Sequence, residues 1–195
     1  MFKGAIVSKK VVVVCGSPRI GGNSEILADA FIRGAKDAGH SVKKIRLAEK
    51  KILPCLGCSY CSDNSLSCIL EDDMNGLYPE ILGADVVVMA SPVYYFGFTA
   101  QLKAFIDRLY GPDVKGNIFS EANSCFPHKE CALLMTASED DKKVFDIPVM
   151  HFQRVFNQWF MWANRGMVLV PGVSEAGEIK GHAKLNDAYD IGRNL

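Results

Sequence analysis

Two short unbroken apolar runs constrain this chain more than any other feature: Val-Val-Val-Val-Cys at 11–15 and Asp-Val-Val-Val-Met-Ala at 85–90. A strand with one wet face alternates apolar and polar residues. A short run that stays apolar reads instead as a strand buried on both faces, the condition of a parallel sheet covered by helices. The remaining pattern agrees. Residues 24–38 place Leu27, Ala30, Phe31, Gly34 and Ala38 at helical spacing and stop at Gly39. Residues 41–47 alternate Val42, Ile45 and Leu47 with basic residues, as a strand nearer an edge does. Helices are predicted over 72–82, 99–109, 142–164 and 181–194, and further strands over 130–136 and 167–170. Asp72 and Asp73 suit the positive end of the first of these helices, whereas Pro79 kinks it or marks a restart. Residues 111–128 are a Gly/Pro/Asn-rich connection.

Five strands alternating with helices predict an α/β, doubly wound parallel five-stranded sheet with helices on both faces and right-handed crossovers. The usual order for five strands is 2-1-3-4-5, the flavodoxin-like one, which puts a ligand at the carboxyl ends of strands 1 and 3. The expectation is a single domain over residues 1–195, with an N-terminal extension at 1–9 and a Cys-rich loop insertion at 50–70. With 22 Lys+Arg against 22 Asp+Glu the net charge is zero, which argues against a nucleic-acid partner. The charge-free stretch 86–102 is broken by Ser91, Pro92, Gly97, Thr99 and Gln101, so membrane insertion is not expected. No signal peptide is legible at the start, which points to a cytoplasmic, reducing compartment. The seven cysteines then read as metal ligands, redox groups or small core residues rather than a disulfide frame.

The loop after the first run, Gly16-Ser17-Pro18-Arg19-Ile20-Gly21-Gly22-Asn23-Ser24, opens directly into a helix. A helix N-terminus offers unpaired N–H groups and about half a positive charge to an anion. Ser17, Asn23 and Ser24 add short donors, Arg19 a charged fork, and Gly22 lets the backbone close on phosphate oxygens. No Lys-Ser/Thr follows the glycines and no G-x-G-x-x-G is present, which argues against NTP hydrolysis and a dinucleotide fold. Cys15 and Arg19 stand too close together for a phosphatase Cys-x5-Arg loop. The plainer alternative is a helix-capping turn without a ligand. After the second run come Ser91, Pro92, Val93, Tyr94, Tyr95, Phe96, Gly97 and Phe98, whose aromatic rings can flank a planar heterocycle or simply seal the sheet end. One phosphate site beside one flat-ring site fits a mononucleotide, and FMN best.

The combination Gly-Ser-Pro-Arg-x-x-Gly-Asn-Ser, Asp72-Asp73-Met74, Ser91-Pro92-Val93-Tyr94 and Leu102-Lys103-Ala104-Phe105-Ile106-Asp107-Arg108 resembles the NADPH-dependent FMN reductase and iron–sulfur flavoprotein family. The similarity is strong over residues 10–110 and looser beyond. It implies a flavodoxin-like fold, bound FMN, and homodimers or homotetramers with flavin sites near subunit contacts. It also implies phosphate contacts from Ser17, Arg19, Asn23 and Ser24, an isoalloxazine bordered by Pro92 to Gly97, and a third FMN loop at Thr136, Ala137 and Ser138. Lys103, Asp107 and Arg108 read as an exposed helix face or an interface ion pair.

Cys55, Cys58, Cys61 and Cys68 give C-x2-C-x2-C-x6-C, similar to the cysteine run of iron–sulfur flavoproteins, which binds a [4Fe–4S] cluster. Zinc with four sulfurs and free or redox thiols are the alternatives. Cys15, Cys125 and Cys131 read as core or loop residues. His40, His128, His151 and His182 read as satisfied surface or interface side chains. Trp159 and Trp162 read as packing of the long helix. The resemblance therefore implies an FMN-dependent oxidoreductase passing electrons from NAD(P)H through FMN to a quinone, flavin or protein acceptor. The alternative is an iron–sulfur flavoprotein electron carrier without NAD(P)H activity of its own. No catalytic acid or base is legible, because the flavin carries the chemistry.

Overall fold

Alternate residues of the apolar runs go to opposite faces of one sheet, and each face carries its own core. Val12, Val14, Val87, Met89, Leu133 and Met135 pack on one side, while Val11, Val13, Val86, Val88, Ala132 and Leu134 pack on the other. The computed structural model describes residues 7–63, 68–110 and 129–195; the connection 111–128, with Cys125 and His128, lies outside them. In chain order the elements are β1 (Lys10–Cys15), α1 (Asn23–Asp37), β2 (Ser41–Arg46), the single turn α2 (Tyr60–Asp63), α3 (Met74–Leu82) and β3 (Val86–Pro92). They continue with α4 (Ala100–Arg108), β4 (Glu130–Thr136), α5 (Asp146–Phe152), β5 (Ala163–Val170) and α6 (Lys184–Arg193). The strands are parallel in the order β2-β1-β3-β4-β5, as the alternation predicts. Among the described residues no helix is long and apolar enough to cross a membrane.

The predicted helix over 142–164 is corrected. A 3-10 turn at Lys142–Phe145 leads into α5, a π-helical stretch follows at Gln153–Trp159, and β5 already begins at Ala163. Phe152, Phe156, Phe160 and Trp162 all enter the core, with Phe156 and Trp162 rings 5.4 Å apart. Met161, at φ 56°, turns the chain out of the helix. The wider winding brings aromatics to one face at a spacing that an α-helical reading also accepts. β5 carries one extra residue between its pairings with Cys131 and Leu133, a bulge at Arg165-Gly166 where Gly166 has φ 142°.

Helix α6 lies against α1 through two glycines. A Cβ on Gly34 would land on the Tyr189 carbonyl, and one on Gly192 on the Phe31 carbonyl. This backbone-to-backbone approach fixes the segment between β5 and α6, which becomes part of the site.

Candidate functional site

The carboxyl ends of β1, β3, β4 and β5 surround one cavity of about 120 Å³. Ser17, Arg19, Gly22, Asn23 and Ser24 line it from the first loop, Pro92, Val93 and Tyr94 from the second, and Thr136, Ala137 and Ser138 from the third. The structure thus gathers eleven of the expected residues, counted along that lining. Tyr95, Phe96 and Gly97 do not line it. They belong to a tight turn in which the Tyr94 N–H donates to the Gly97 carbonyl (3.0 Å) and the Gly97 N–H to the Tyr94 carbonyl (2.9 Å). Tyr95 and Phe96 sit at φ 47° and 59°, a left-handed conformation that costs a non-glycine residue about 1 kcal/mol or more, and Tyr95 is wholly exposed. Two strained aromatic residues thus stand in solvent at the cavity rim.

The fourth wall is one that sequence reasoning missed. Val173, Ser174 and Ala176, after β5, complete the lining. Asn23 anchors them: its Nδ2 donates to the Glu175 carbonyl (2.8 Å), and its Oδ1 accepts from the N–H groups of Gly177 (3.0 Å) and Ile179 (3.3 Å). Arg19 Nη1 donates to the Ser174 carbonyl at 3.1 Å. The amide expected to face a phosphate thus also holds a loop, while Asn23 still lines the cavity. No side chain caps α1 at Gly22, which leaves first-turn N–H donors for an anion in the cavity. On the other side, the Thr99 hydroxyl accepts from the Leu102 N–H and donates to the Gly16 carbonyl at 2.7 Å. Leu102 packs so closely that a Cβ on Gly16 would lie 2.8 Å from its Cβ. The first loop is thereby pinned to α4.

Behind the first loop lies a charged cluster absent from the expectations. Buried Glu25 accepts from the Gly21 N–H (2.6 Å), Lys44 Nζ (2.6 Å) and Arg46 Nε (2.5 Å). Burial alone would raise its pKa, but hydrogen bonds from Lys44, Arg46 and Gly21 outweigh it and hold it at about 2. A depressed carboxylate stabilises the fold above its unfolded value of 4.5, and that contribution is lost as pH falls toward 2. Glu25→Gln is expected to cost about 1.5 kcal/mol at neutral pH. Urea unfolding across pH should show the gap between variant and parent narrowing below pH 4.5.

Cys55, Cys58, Cys61 and Cys68 line a second, largely apolar cavity of about 210 Å³ with Leu56, Ile69, Leu70 and Tyr110. Burial raises the Cys61 thiol, as does the nearness of Cys68, Cys55 and Cys58. The Gly57 N–H points at Cys55 Sγ, 3.5 Å away, and Gly57 and Ser59 have left-handed φ of 63° and 57° that curl the loop around the sulfurs. Among the described residues no three His, Cys, Asp or Glu side chains are arranged to hold a single metal ion. Cys15 and Cys131 are buried in the core, where burial pushes each thiol up to about 12 and keeps it protonated and inert.

Arg108 corrects an expectation. Lys103 and Asp107 do form an exposed i,i+4 pair at 2.7 Å, but Arg108 is buried and makes two bonds to buried Asp72, at 2.7 and 3.2 Å. Asp72 does more than complement a helix dipole, since its Oδ1 accepts the Met74 N–H at 3.0 Å. His40 is buried rather than on the surface, with Nδ1 accepting the Lys9 N–H, and His151 packs on Phe98 at 5.3 Å.

An iron–sulfur flavoprotein of Archaeoglobus fulgidus is 41% identical over 111 residues, 55% of this chain and 50% of that protein. The chain spans about half the length of the iron–sulfur flavoproteins it matches. A putative NAD(P)H-dependent FMN-containing oxidoreductase of Bacillus subtilis is 27% identical over 92% of this chain and 94% of its own. Among solved structures, an NAD(P)H:quinone oxidoreductase from Methanothermobacter marburgensis superposes with a TM-score of 0.76 over 97% of this chain and 96% of its own, at 18% identity, and so shares the fold. The family model for NADPH-dependent FMN reductase matches residues 9–171. With that match spanning all five strands and three of the four cavity loops, the chain belongs to the NADPH-dependent FMN reductase family.

Proposed function

We propose that the four-loop cavity holds the phosphate end of FMN and that the protein is an NAD(P)H-dependent oxidoreductase. The observation that carries this reading is the cavity's donor set. An uncapped helix N-terminus, Arg19 and the hydroxyl-bearing residues Ser17, Ser24, Thr136 and Ser138 converge at the carboxyl ends of β1 and β4. That set suits one phosphate, and Gly22, where a Cβ would crowd the Arg19 carbonyl and the Ser17 hydroxyl at 3.2 Å, lets the loop close this tightly. FMN, when bound, supplies the redox chemistry, taking electrons from a reduced nicotinamide and releasing them to an acceptor. The chain's own residues bind and orient. Arg19 balances the phosphate charge while tying the first loop to Ser174. Tyr94 and Pro92 form the rim on which a flat ring rests, and the exposed Tyr95 and Phe96 offer faces to a planar donor or acceptor. The acceptor class is a quinone, a flavin or a protein.

The four-cysteine cavity supports a second component, a [4Fe–4S] cluster held by Cys55, Cys58, Cys61 and Cys68. Four sulfurs around one apolar space are the donor set such a cluster takes, and the iron–sulfur flavoproteins among the relatives carry the same class of group in their names. An absorption spectrum and iron assay of anaerobically purified protein test both parts. Flavin bands with a broad brown shoulder and bound iron are expected, with FMN released on denaturation. A colourless protein that takes up no FMN overturns the reading, and flavin without iron removes the cluster alone.

A further inference from the structure

We propose that Asp72 and Arg108 are positioning residues that clasp the two ends of the four-cysteine loop and hold its sulfurs ready for a cluster. The inference rests on the reading of that loop as a cluster site. The loop departs at Lys51–Leu53 and returns at Asp72 and Asp73, and these ends are tied to each other by hydrogen bonds. The Lys51 N–H donates to Asp73 Oδ2 (2.6 Å), and the Asp73 N–H donates to the Lys51 carbonyl (3.1 Å). The Leu53 N–H donates to Asp72 Oδ2 (2.9 Å), and Arg108 Nη1 donates to the Leu53 carbonyl (2.9 Å). One carboxylate thus joins both ends of the loop to the last turn of α4.

The bond between Asp72 and Arg108 is the buried centre of this arrangement, with side-chain exposures of 0% and 1%. Burial raises the Asp72 pKa, but the bonds from Arg108 and the Leu53 and Met74 N–H groups outweigh it and keep the carboxyl ionised. The Tyr78 hydroxyl donates to the Arg108 carbonyl at 3.1 Å, fixing α4 against α3. A buried ion pair adds little stability over an apolar pair of similar volume, because desolvating two charges offsets their attraction. What this pair supplies is geometry: Leu53 is held by both its N–H and its carbonyl, two residues before Cys55. Two residues past the end of α4, Tyr110 lines the sulfur cavity itself. Outer contacts of this kind orient ligands that would otherwise sample many arrangements.

The test compares the parent with the double variant Asp72→Leu/Arg108→Met, an apolar exchange chosen to keep the fold, and with Arg108→Lys. Each is reconstituted anaerobically with ferric iron, sulfide and a thiol reductant, then challenged with a chelator, while FMN content and thermal unfolding are recorded. The double variant is expected to fold and bind FMN as the parent does but to lose iron about 10–100-fold faster, with Arg108→Lys recovering part of the difference. Amide exchange at Leu53 in the iron-free protein should accelerate about tenfold in the double variant. Parental iron retention in a folded, FMN-binding double variant overturns the clasp, as does unchanged Leu53 exchange. A parent that takes up no iron fails the cluster reading instead, and the exchange rate then still decides whether the clasp holds the loop.

Discussion

Asn23→Ala is expected to weaken FMN binding by about 100-fold, close to 3 kcal/mol, while leaving the sheet intact. The size follows from what the side chain holds. Its three hydrogen bonds to Glu175, Gly177 and Ile179 are the ties between the first loop and the segment after β5. Each neutral bond is worth about 1 kcal/mol, and with none of them the segment must be ordered anew each time a ligand binds. The Arg19 bond to Ser174 remains, but as a single contact at the far edge of the loop. Fluorescence titration with FMN checks this. Ile20→Ser, at an exposed position of the same loop, serves as the control and should bind normally.

Gly34→Leu is expected to destabilise the protein by about 3 kcal/mol, the upper range for overpacking, and so to lower Tm by about 6–12 °C. At an open helical position the exchange of glycine for a residue with a side chain gains up to about 1 kcal/mol, because glycine forfeits more backbone entropy. Here sterics win. Even a Cβ would occupy the place of the Tyr189 carbonyl, so α6 must lift from α1. The contrast is Gly76 in α3, where a Cβ meets nothing within 4 Å. Gly76→Ala should raise Tm slightly, and scanning calorimetry of the two variants separates helix propensity from helix contact.

Much of this architecture is legible before any coordinates, because buried parallel strands leave an unmistakable local signature. The runs at 11–15 and 85–90 locate β1 and β3, and the chemistry-bearing loops follow directly from the strand order. β5 lacks that signature. Its start is exposed and Ala163 and Asn164 read as the end of a helix, so the strand is seen only from residue 167 and the cavity wall beyond it is missed. The Pro171-Gly172 pair before Val173 is the sequence signal of a turn there, and Gly172 does take a φ of 70°. Long-range roles of polar side chains are hidden for a different reason. Arg108 sits at i+1 from Asp107 and looks like part of an exposed charged face, yet its partner is 36 positions away. Glu25 likewise reads as an acidic first-turn residue, and only the pairing of β1 with β2 reveals that Lys44 and Arg46 meet it. The aromatics at Tyr95 and Phe96 read as the border of a flat ring, and nothing local announces the left-handed turn that takes both out of the cavity lining.

The proposed function stands or falls most directly on one measurement: anaerobic addition of NADPH, and separately NADH, to the FMN-loaded protein while the flavin's visible absorbance is followed. The proposed site, with the flavin ring resting on Pro92 and Tyr94 and a reduced nicotinamide meeting it there, predicts rapid, stoichiometric bleaching by at least one of the two nucleotides, without any added protein. Retention of the full flavin absorbance with both, in protein shown to contain FMN, would contradict it and leave a carrier that receives its electrons from another protein.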